Sequence, residues 1–348
     1  MPAEWEPHAA TLLAWPSNRD DWPGKFQPIP WVFAEIVRHL VSGERVRLIV
    51  QSERQEARVR GLLARAGVDA SQVLFLCQTT DRGWMRDVSP FFVVRTLGGK
   101  RDLAGVHFGF NGWAKYRNWK RDSEIPARLA SEIGIPLFRA EWQDRQVILE
   151  GGAIEVNGQG TLLTTEECLL DPVVQVRNPG FTASDYAEVF RRCLGVTNVM
   201  WLGKGIAGDD TRGHVDDLCR FVNADTVVLC AETNPRDENY RALCENQERL
   251  ERARLETGAR LNVVSLPMPA PLLFNGVRLP ASYANFYIAN EAVLVPTFND
   301  PTDRVALGVL AELFPDRPVV GVHAVDLVWG LGTVHCLSHE VPRAENGD

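Results

Sequence analysis

The sequence predicts a single α/β domain made by repeating a strand–strand–helix–strand unit, and three observations predict it. Three apolar stretches are each broken by a turn and then resumed. The residues closing their first strands, Val156, Val222 and Ile288, stand 66 residues apart both times. Each hairpin then runs into a helical pattern and a short apolar strand. A 66-residue period divides the 348-residue chain into roughly five units. An ordinary α/β sheet with chance similarity between units is the competing description. Two equal intervals with matching content favour true repetition.

Taken in order, the hairpins are 153–156 with 161–165 across Asn-Gly-Gln-Gly, 220–222 with 226–230 across Asn-Ala-Asp, and 285–288 with 292–296 across Ala-Asn-Glu. Gly, Asn and Asp supply the turn conformations. A strand over 90–94 sits at nearly the same interval before the first of them. The helical pattern over 184–194, with Ser184 as N-cap and Gly195 as stop, leads to a strand at 198–201. Residues 238–256 lead to a strand at 261–266, and 303–314 to one at 318–322. No linker or shift in composition divides the chain, so residues 1–348 are expected to form one domain.

Composition narrows the function. A net charge of −8 with no basic block argues against nucleic acid, because nothing is there to displace counterions from phosphates. No apolar run approaches the ~20 residues of a membrane span. The start, MPAEWEPHAATLLAWP, lacks the basic-then-apolar order of a signal peptide. Seven cysteines, odd in number and never spaced C-x-x-C, disfavour a disulfide framework or structural zinc. A reducing cytoplasm is the expected compartment.

Placed on the repeat, the acids line up. Six residues before Val93, Val156 and Val222 stand Asp87, Glu150 and Asp216; the same offset before Ile288 gives Ser282. Singly, each acid reads as a solvated strand end. If the units surround a common axis, the three meet, and clustered anions call for a cationic ligand or a metal. His214 precedes Asp216 by two residues and shares its face on an extended strand, placing an imidazole beside the acids for proton transfer. No H-x-x-x-H, H-E-x-x-H or Asp-rich glycine loop accompanies them, so neither a metal nor another cofactor is expected.

Six of the thiols, at Cys77, Cys168, Cys193, Cys219, Cys230 and Cys244, read as small buried hydrophobes. Cys336 follows the glycine-punctuated stretch Val328-Trp-Gly-Leu-Gly-Thr-Val-His335, where a backbone can approach a ligand closely. His335 would point to the opposite face of a strand, so His214 is the expected base for Cys336. The segment Gly203-Lys-Gly-Ile-Ala-Gly208 matches G-x-G-x-x-G but continues as Asp209-Asp210-Thr-Arg-Gly213, a turn carrying two anions. It reads as a substrate-side loop rather than a dinucleotide fingerprint.

Together, W-M-R-D at 84–87, L-E-G-G at 149–152, G-I-A-G-D-D-T-R-G-H-V-D at 205–216, A-S-Y-A-N-F-Y-I at 281–288 and H-C at 335–336 resemble the agmatine deiminases. So do M-P-A-E-W-E-P-H at the start and D-W-P-G-K-F at 21–26. That family belongs to the guanidine-modifying superfamily, which also holds bacterial peptidylarginine deiminases. The resemblance implies a five-bladed α/β propeller (pentein) of ββαβ units and a homo-oligomer. It implies deimination of a small cationic guanidine, agmatine, to N-carbamoylputrescine, as in putrescine biosynthesis. It also implies catalytic roles for Cys336 as nucleophile, His214 as acid and base, and Asp87, Glu150 and Asp216 as guanidinium acceptors. Trp84 would cover the substrate by cation–π contact, and Asp210 would face its far end. The chain departs from the family's pattern at Gly-Leu-Gly-Thr-Val before His335, at Arg212-Gly213, and at 110–116, where the usual double glycine is missing. Deimination of peptidyl arginine and a non-catalytic guanidine-binding module are the alternatives. Loss of Cys336 or His214 would mark the latter, and both are present.

Overall fold

A computed structural model describes residues 1–344. Among them, five sheets of three or four strands repeat one arrangement, an antiparallel pair followed by a parallel strand. Phe91–Leu97 pairs antiparallel with Lys100–His107, which pairs parallel with Leu137–Arg139. Glu155–Val156, Thr161–Thr165 and Asn198–Leu202 repeat this, as do Cys219–Asn223, Thr226–Ala231 and Asn262–Pro267. Tyr287–Ile288, Val293–Thr297 and Val319–His323 form the next. The remaining sheet joins the two ends of the described chain. His339–Pro342 runs antiparallel to His8–Ala14, which is followed by the parallel strands Arg45–Val50 and Val73–Cys77. The 66-residue period therefore describes real units, and the hairpins stand near where the sequence puts them, with two first arms shorter than expected, Glu155–Val156 in place of 153–156 and Tyr287–Ile288 in place of 285–288.

In each unit a helix connects the two parallel strands, as a parallel pair requires. These are Ile29–Leu40, Ile125–Ile133, Ala183–Leu194, Glu238–Arg252 and Asp303–Leu313. Each buries an apolar stripe; Phe33, Ile36, Val37 and Leu40 show the helical spacing in the first. Two boundaries differ from expectation. The third helix is capped by Thr182, not Ser184, because Thr182 and Asp185 form a reciprocal capping box; Gly195 ends it as expected, at φ 73°. The fourth ends at Arg252 rather than at 256, since Ala253 turns extended (ψ 157°) and the chain enters a bridged turn between Arg254 and Arg260. Cys77 and Cys244 are exposed rather than buried, at the end of an edge strand and on a helix flank; Cys193 is half-buried. No helix of the described residues is long and apolar enough to cross a membrane.

The short segments before the first strand of a sheet position the chemistry. One-turn helices Met85–Val88, Val215–Asp217 and Val334–Leu337 carry Asp87, Asp216 and Cys336, and Glu150 directly precedes the turn Gly151–Ala153. These turns are neighbours: Met85–Val88 packs on both Val334–Leu337 and Gly151–Ala153, and the latter on Val215–Asp217.

Candidate active site

Three buried carboxylates surround one imidazole. His214 Nδ1 lies 3.9 Å from Asp87 Oδ1 and 3.9 Å from Asp216 Oδ1, and its Nε2 lies 3.9 Å from Glu150 Oε2. His214 is only 1% exposed. His214 and Asp216 do not share an extended strand, as expected from sequence. His214 instead precedes the turn Val215–Asp217, because Asp209 folds the preceding loop. Its Oδ2 accepts the Gly213 and His214 amides at 2.7 and 3.1 Å. Gly152 makes the convergence possible: a Cβ there would sit 2.5 Å from His214 Nδ1 and 3.0 Å from Asp87 Oδ1.

The carboxylates differ in their other partners. Arg177 Nε donates to both oxygens of Glu150, at 3.1 and 3.3 Å. Burial opposes ionisation of Glu150, but Arg177 and His214 hold its pKa down at about 2. Asp216 Oδ2 accepts from His335 Nδ1 at 2.7 Å, and this bond keeps Asp216 low against its burial. Asp87 accepts from Trp113 Nε1 at 2.8 Å and from the Gly152 amide at 2.9 Å. Burial, with repulsion from Asp216 and Glu150, pushes Asp87 up to about 6. Burial opposes protonation of His214, but Asp87, Cys168 and Glu150 overcome it and raise His214 well above its ordinary value.

Asp87 and Cys336 line one cavity of about 270 Å³, together with Trp84, Trp113, Tyr116 and Asp210. Cys336 is 7% exposed. Its Sγ accepts from Asn285 Nδ2 at 3.1 Å and lies 3.7 Å from Asp216 Oδ2. Burial pushes the thiol up, and Asp216, Asp217 and Asp87 push it further, so the free enzyme holds a neutral thiol. His335 and Cys336 stand on a one-turn helix rather than on a strand. They do not point to opposite faces, since His335 Nδ1 and Cys336 Sγ both reach Asp216 Oδ2, at 2.7 and 3.7 Å; both His335 nitrogens are engaged, Nδ1 by Asp216 and Nε2 by Glu4 at 2.8 Å. Gly332 gives the thiol its room: a Cβ there would meet Trp84 at 2.8 Å and Cys336 Cβ at 3.0 Å. At the far end Asp210 accepts from Lys115 Nζ at 3.0 Å and from the Tyr116 hydroxyl at 2.5 Å. The loop at 203–213 thus reaches the cavity through Asp210 and Thr211.

Two groups of donor atoms lie within 4.8 Å of one another at metal-ligand spacing, Glu150–Cys168–His214 and Asp216–Asp217–Cys336. Arg177 already occupies Glu150, and the Asn285 amide already bridges Asp217 and Cys336. The dominant property of the cluster is its charge, which suits an organic cation that can donate hydrogen bonds to several carboxylates at once.

Residues 1–342 match the Porphyromonas-type peptidyl-arginine deiminase family. The chain belongs to this family. It is 34% identical to an agmatine deiminase of Stutzerimonas stutzeri, over 98% of this chain and 95% of the relative. Among solved structures, agmatine deiminase of Enterococcus faecalis superposes with a TM-score of 0.89 at 29% identity, covering 99% of this chain and 95% of that one. A C. jejuni agmatine deiminase with substrate bound superposes at 0.86, with 27% identity and 99% and 96% coverage.

In this member of the deiminase family, sequence reasoning missed four residues that fix the site. Asn285 stands in the quoted A-S-Y-A-N-F-Y-I run, and Glu4 in the opening M-P-A-E. Glu4 gathers Arg86, Arg220 and His335 at 2.8, 2.9 and 2.8 Å in a buried ion network. Arg177 and His335 are the others; no local pattern marks Arg177, and His335, quoted with Cys336 in the H-C pair, reads in the sequence only as a residue facing away from the thiol. Cys336 did carry a usable signal. It stands six residues before Pro342, the offset that the acids keep from their own strands. The interval from Ser282 to Cys336 is 54 rather than 66, and that hides it from a count at fixed period.

Proposed function

We propose that the chain is a hydrolase that deiminates agmatine to N-carbamoylputrescine and ammonia through an amidino-cysteine intermediate on Cys336. The observation that carries this reading is one cavity lined by the buried Cys336 thiol and by Asp87, one of the three carboxylates that enclose the His214 imidazole behind its wall. A planar guanidinium complements that arrangement, offering N–H donors to Asp87 and to Asp216 Oδ1. The latter is buried and has no hydrogen-bond partner among the described residues. Trp84, buried in the cavity wall, covers the cation or its alkyl stem.

Binding of the cation offsets the carboxylate charge that holds the thiol neutral, and Cys336 releases its proton to solvent through the cavity it lines as the substrate arrives. The sulfur attacks the central guanidinium carbon and forms a C–S bond. Protonated His214 gives its proton to the terminal nitrogen; that C–N bond breaks and ammonia leaves. The amidino-thioether remains. Neutral His214 then takes a proton from water as the oxygen adds to the same carbon. The C–S bond breaks as the hydroxyl proton of the adduct passes to the sulfur, releasing N-carbamoylputrescine and the thiol. The raised pKa of His214 supports this order, since the first half-reaction needs an acid and the second a base. Glu150 acts through His214, by holding its charge in place, while Asp216 faces the guanidinium.

We read residues 1–348 as one domain and the five sheets as five blades around the site. Support comes from the mutual packing of the turns carrying Asp87, Glu150, Asp216 and Cys336. The experiment is a comparison of agmatine, arginine and a peptidyl arginine as substrates of the purified protein, following ammonia and ureido product. Preferred turnover of agmatine is expected; turnover of another guanidine with none of agmatine would overturn the substrate assignment.

A further inference from the structure

The segment 111–116 spans the cavity. Trp113 Nε1 holds Asp87 at the thiol end, while Lys115 and Tyr116 hold Asp210 at the other. Its backbone is strained: Trp113 and Ala114 are both left-handed, at φ 57° and 52°, without being glycine. Several bonds impose the strain. Asn111 Oδ1 accepts the Ala114 amide at 2.8 Å, and Gly112 O accepts the Lys115 and Tyr116 amides at 3.0 and 2.9 Å. Gln175 Nε2 donates to the carbonyls of both Trp113 and Asp210, at 3.0 Å each, tying this segment to the opposite loop. The outcome is a lysine delivered onto the carboxylate that faces the far end of the cavity.

We propose that Lys115 is a specificity-determining residue, an ammonium of the protein's own that occupies Asp210 and that a substrate's cationic tail has to displace. The inference rests on the reading that the guanidinium is held at Cys336. The Lys115 side chain is 41% exposed and that of Asp210 is 16%, so the pair sits at the mouth, where an ion pair is weak enough to exchange. The neighbouring acid Asp21 is already taken by Arg82 at 2.6 Å, and Arg82 lies 3.8 Å over the Tyr116 ring. The wall around the tail thus presents two internal ion pairs in place of two of its three carboxylates, Asp20 being the third. Discrimination in favour of an ammonium tail is reduced, and guanidines with neutral or carboxylate tails are better tolerated.

The test measures kcat/KM of wild type, K115M, D210N and the double variant on three guanidines that share a four-carbon chain. These are agmatine, n-butylguanidine with a neutral tail, and 4-guanidinobutanoate with a carboxylate tail. Methionine keeps the stem and removes the charge. K115M is expected to raise kcat/KM for agmatine about three- to tenfold through KM, to lower it for the carboxylate, and to move n-butylguanidine less than twofold. D210N is expected to cost agmatine more in the K115M background than in wild type. A parallel change for all three substrates, no change, or a fall for agmatine would overturn the proposal. So would a D20N loss on agmatine with K115M silent, which would seat the tail on Asp20, another residue of the cavity wall. Wild type inactive on all three guanidines would instead sink the reading of the site, and this inference with it.

Discussion

Replacing Asp87 by Asn separates two effects that a merely damaged site would not separate. Asp87 is 5% exposed, faces the cavity and stands 3.9 Å from His214. Asn keeps the shape and one acceptor, for Trp113 Nε1, gives up the bond from the Gly152 amide, and removes the charge. Loss of a charge-assisted hydrogen bond to the guanidinium costs about 1.5–3 kcal/mol. That corresponds to roughly a 10- to 150-fold fall in kcat/KM for agmatine, at ~1.4 kcal/mol per tenfold. The thiol should move the other way. Burial and the charges of Asp216, Asp217 and Asp87 hold Cys336 above its ordinary value, so removing one charge lowers its pKa. Its alkylation by iodoacetamide at mildly alkaline pH should therefore become faster as turnover becomes slower. The assay pairs initial-rate kinetics with mass-spectrometric quantification of the peptide containing Cys336, because Cys77 and Cys244 are exposed and also react. Slower alkylation together with slower turnover would refute the electrostatic account of the site.

Cys336→Ser is expected to lower kcat by at least ~10³-fold, while Cys77→Ser and Cys244→Ser stay within about twofold of wild type; ammonia release under saturating agmatine checks this. Gly152→Ala pushes a methyl to 2.5 Å from His214 Nδ1 and should cost at least ~100-fold in kcat while circular dichroism stays native. His8, buried against Glu44 at 3.1 Å, has its pKa raised to about 9 from 6.5. Burial opposes that rise, and Glu44 overcomes it. The stabilisation from protonated His8 is complete below pH 6.5 and is lost as pH rises through about 9. The advantage of wild type over His8→Gln in urea unfolding should shrink by up to ~3 kcal/mol across that window; a gap that widens with pH would contradict it.

The repeat was legible because each unit writes the same local signals. A turn of Gly, Asn or Asp breaks two apolar strands, and a capped helix follows. The acids were legible through that same period. What stayed hidden depends on chain closure. The sheet formed by His339–Pro342 with His8–Ala14 takes its strands from both ends, so no sequential count assembles it. Cys336 at its offset and Glu4 beneath His335 were obscured for that reason. The partners of the acids were hidden by distance: Arg177 reaches Glu150 across 27 residues, and Asn285 reaches Cys336 across 51. Locally each resembles any surface polar residue. The expected pairing of His214 with Asp216 on a strand failed because Asp209 draws the chain into a turn, which a period-two argument does not register.

The central claim is that Cys336 carries the substrate carbon between the two half-reactions. Rapid acid quenching during agmatine turnover, followed by peptide mass spectrometry, tests it directly. The account predicts an adduct of one agmatine less one ammonia on the peptide containing Cys336, absent in Cys336→Ser. Steady turnover by Cys336→Ser, or the same adduct on another cysteine, would contradict it.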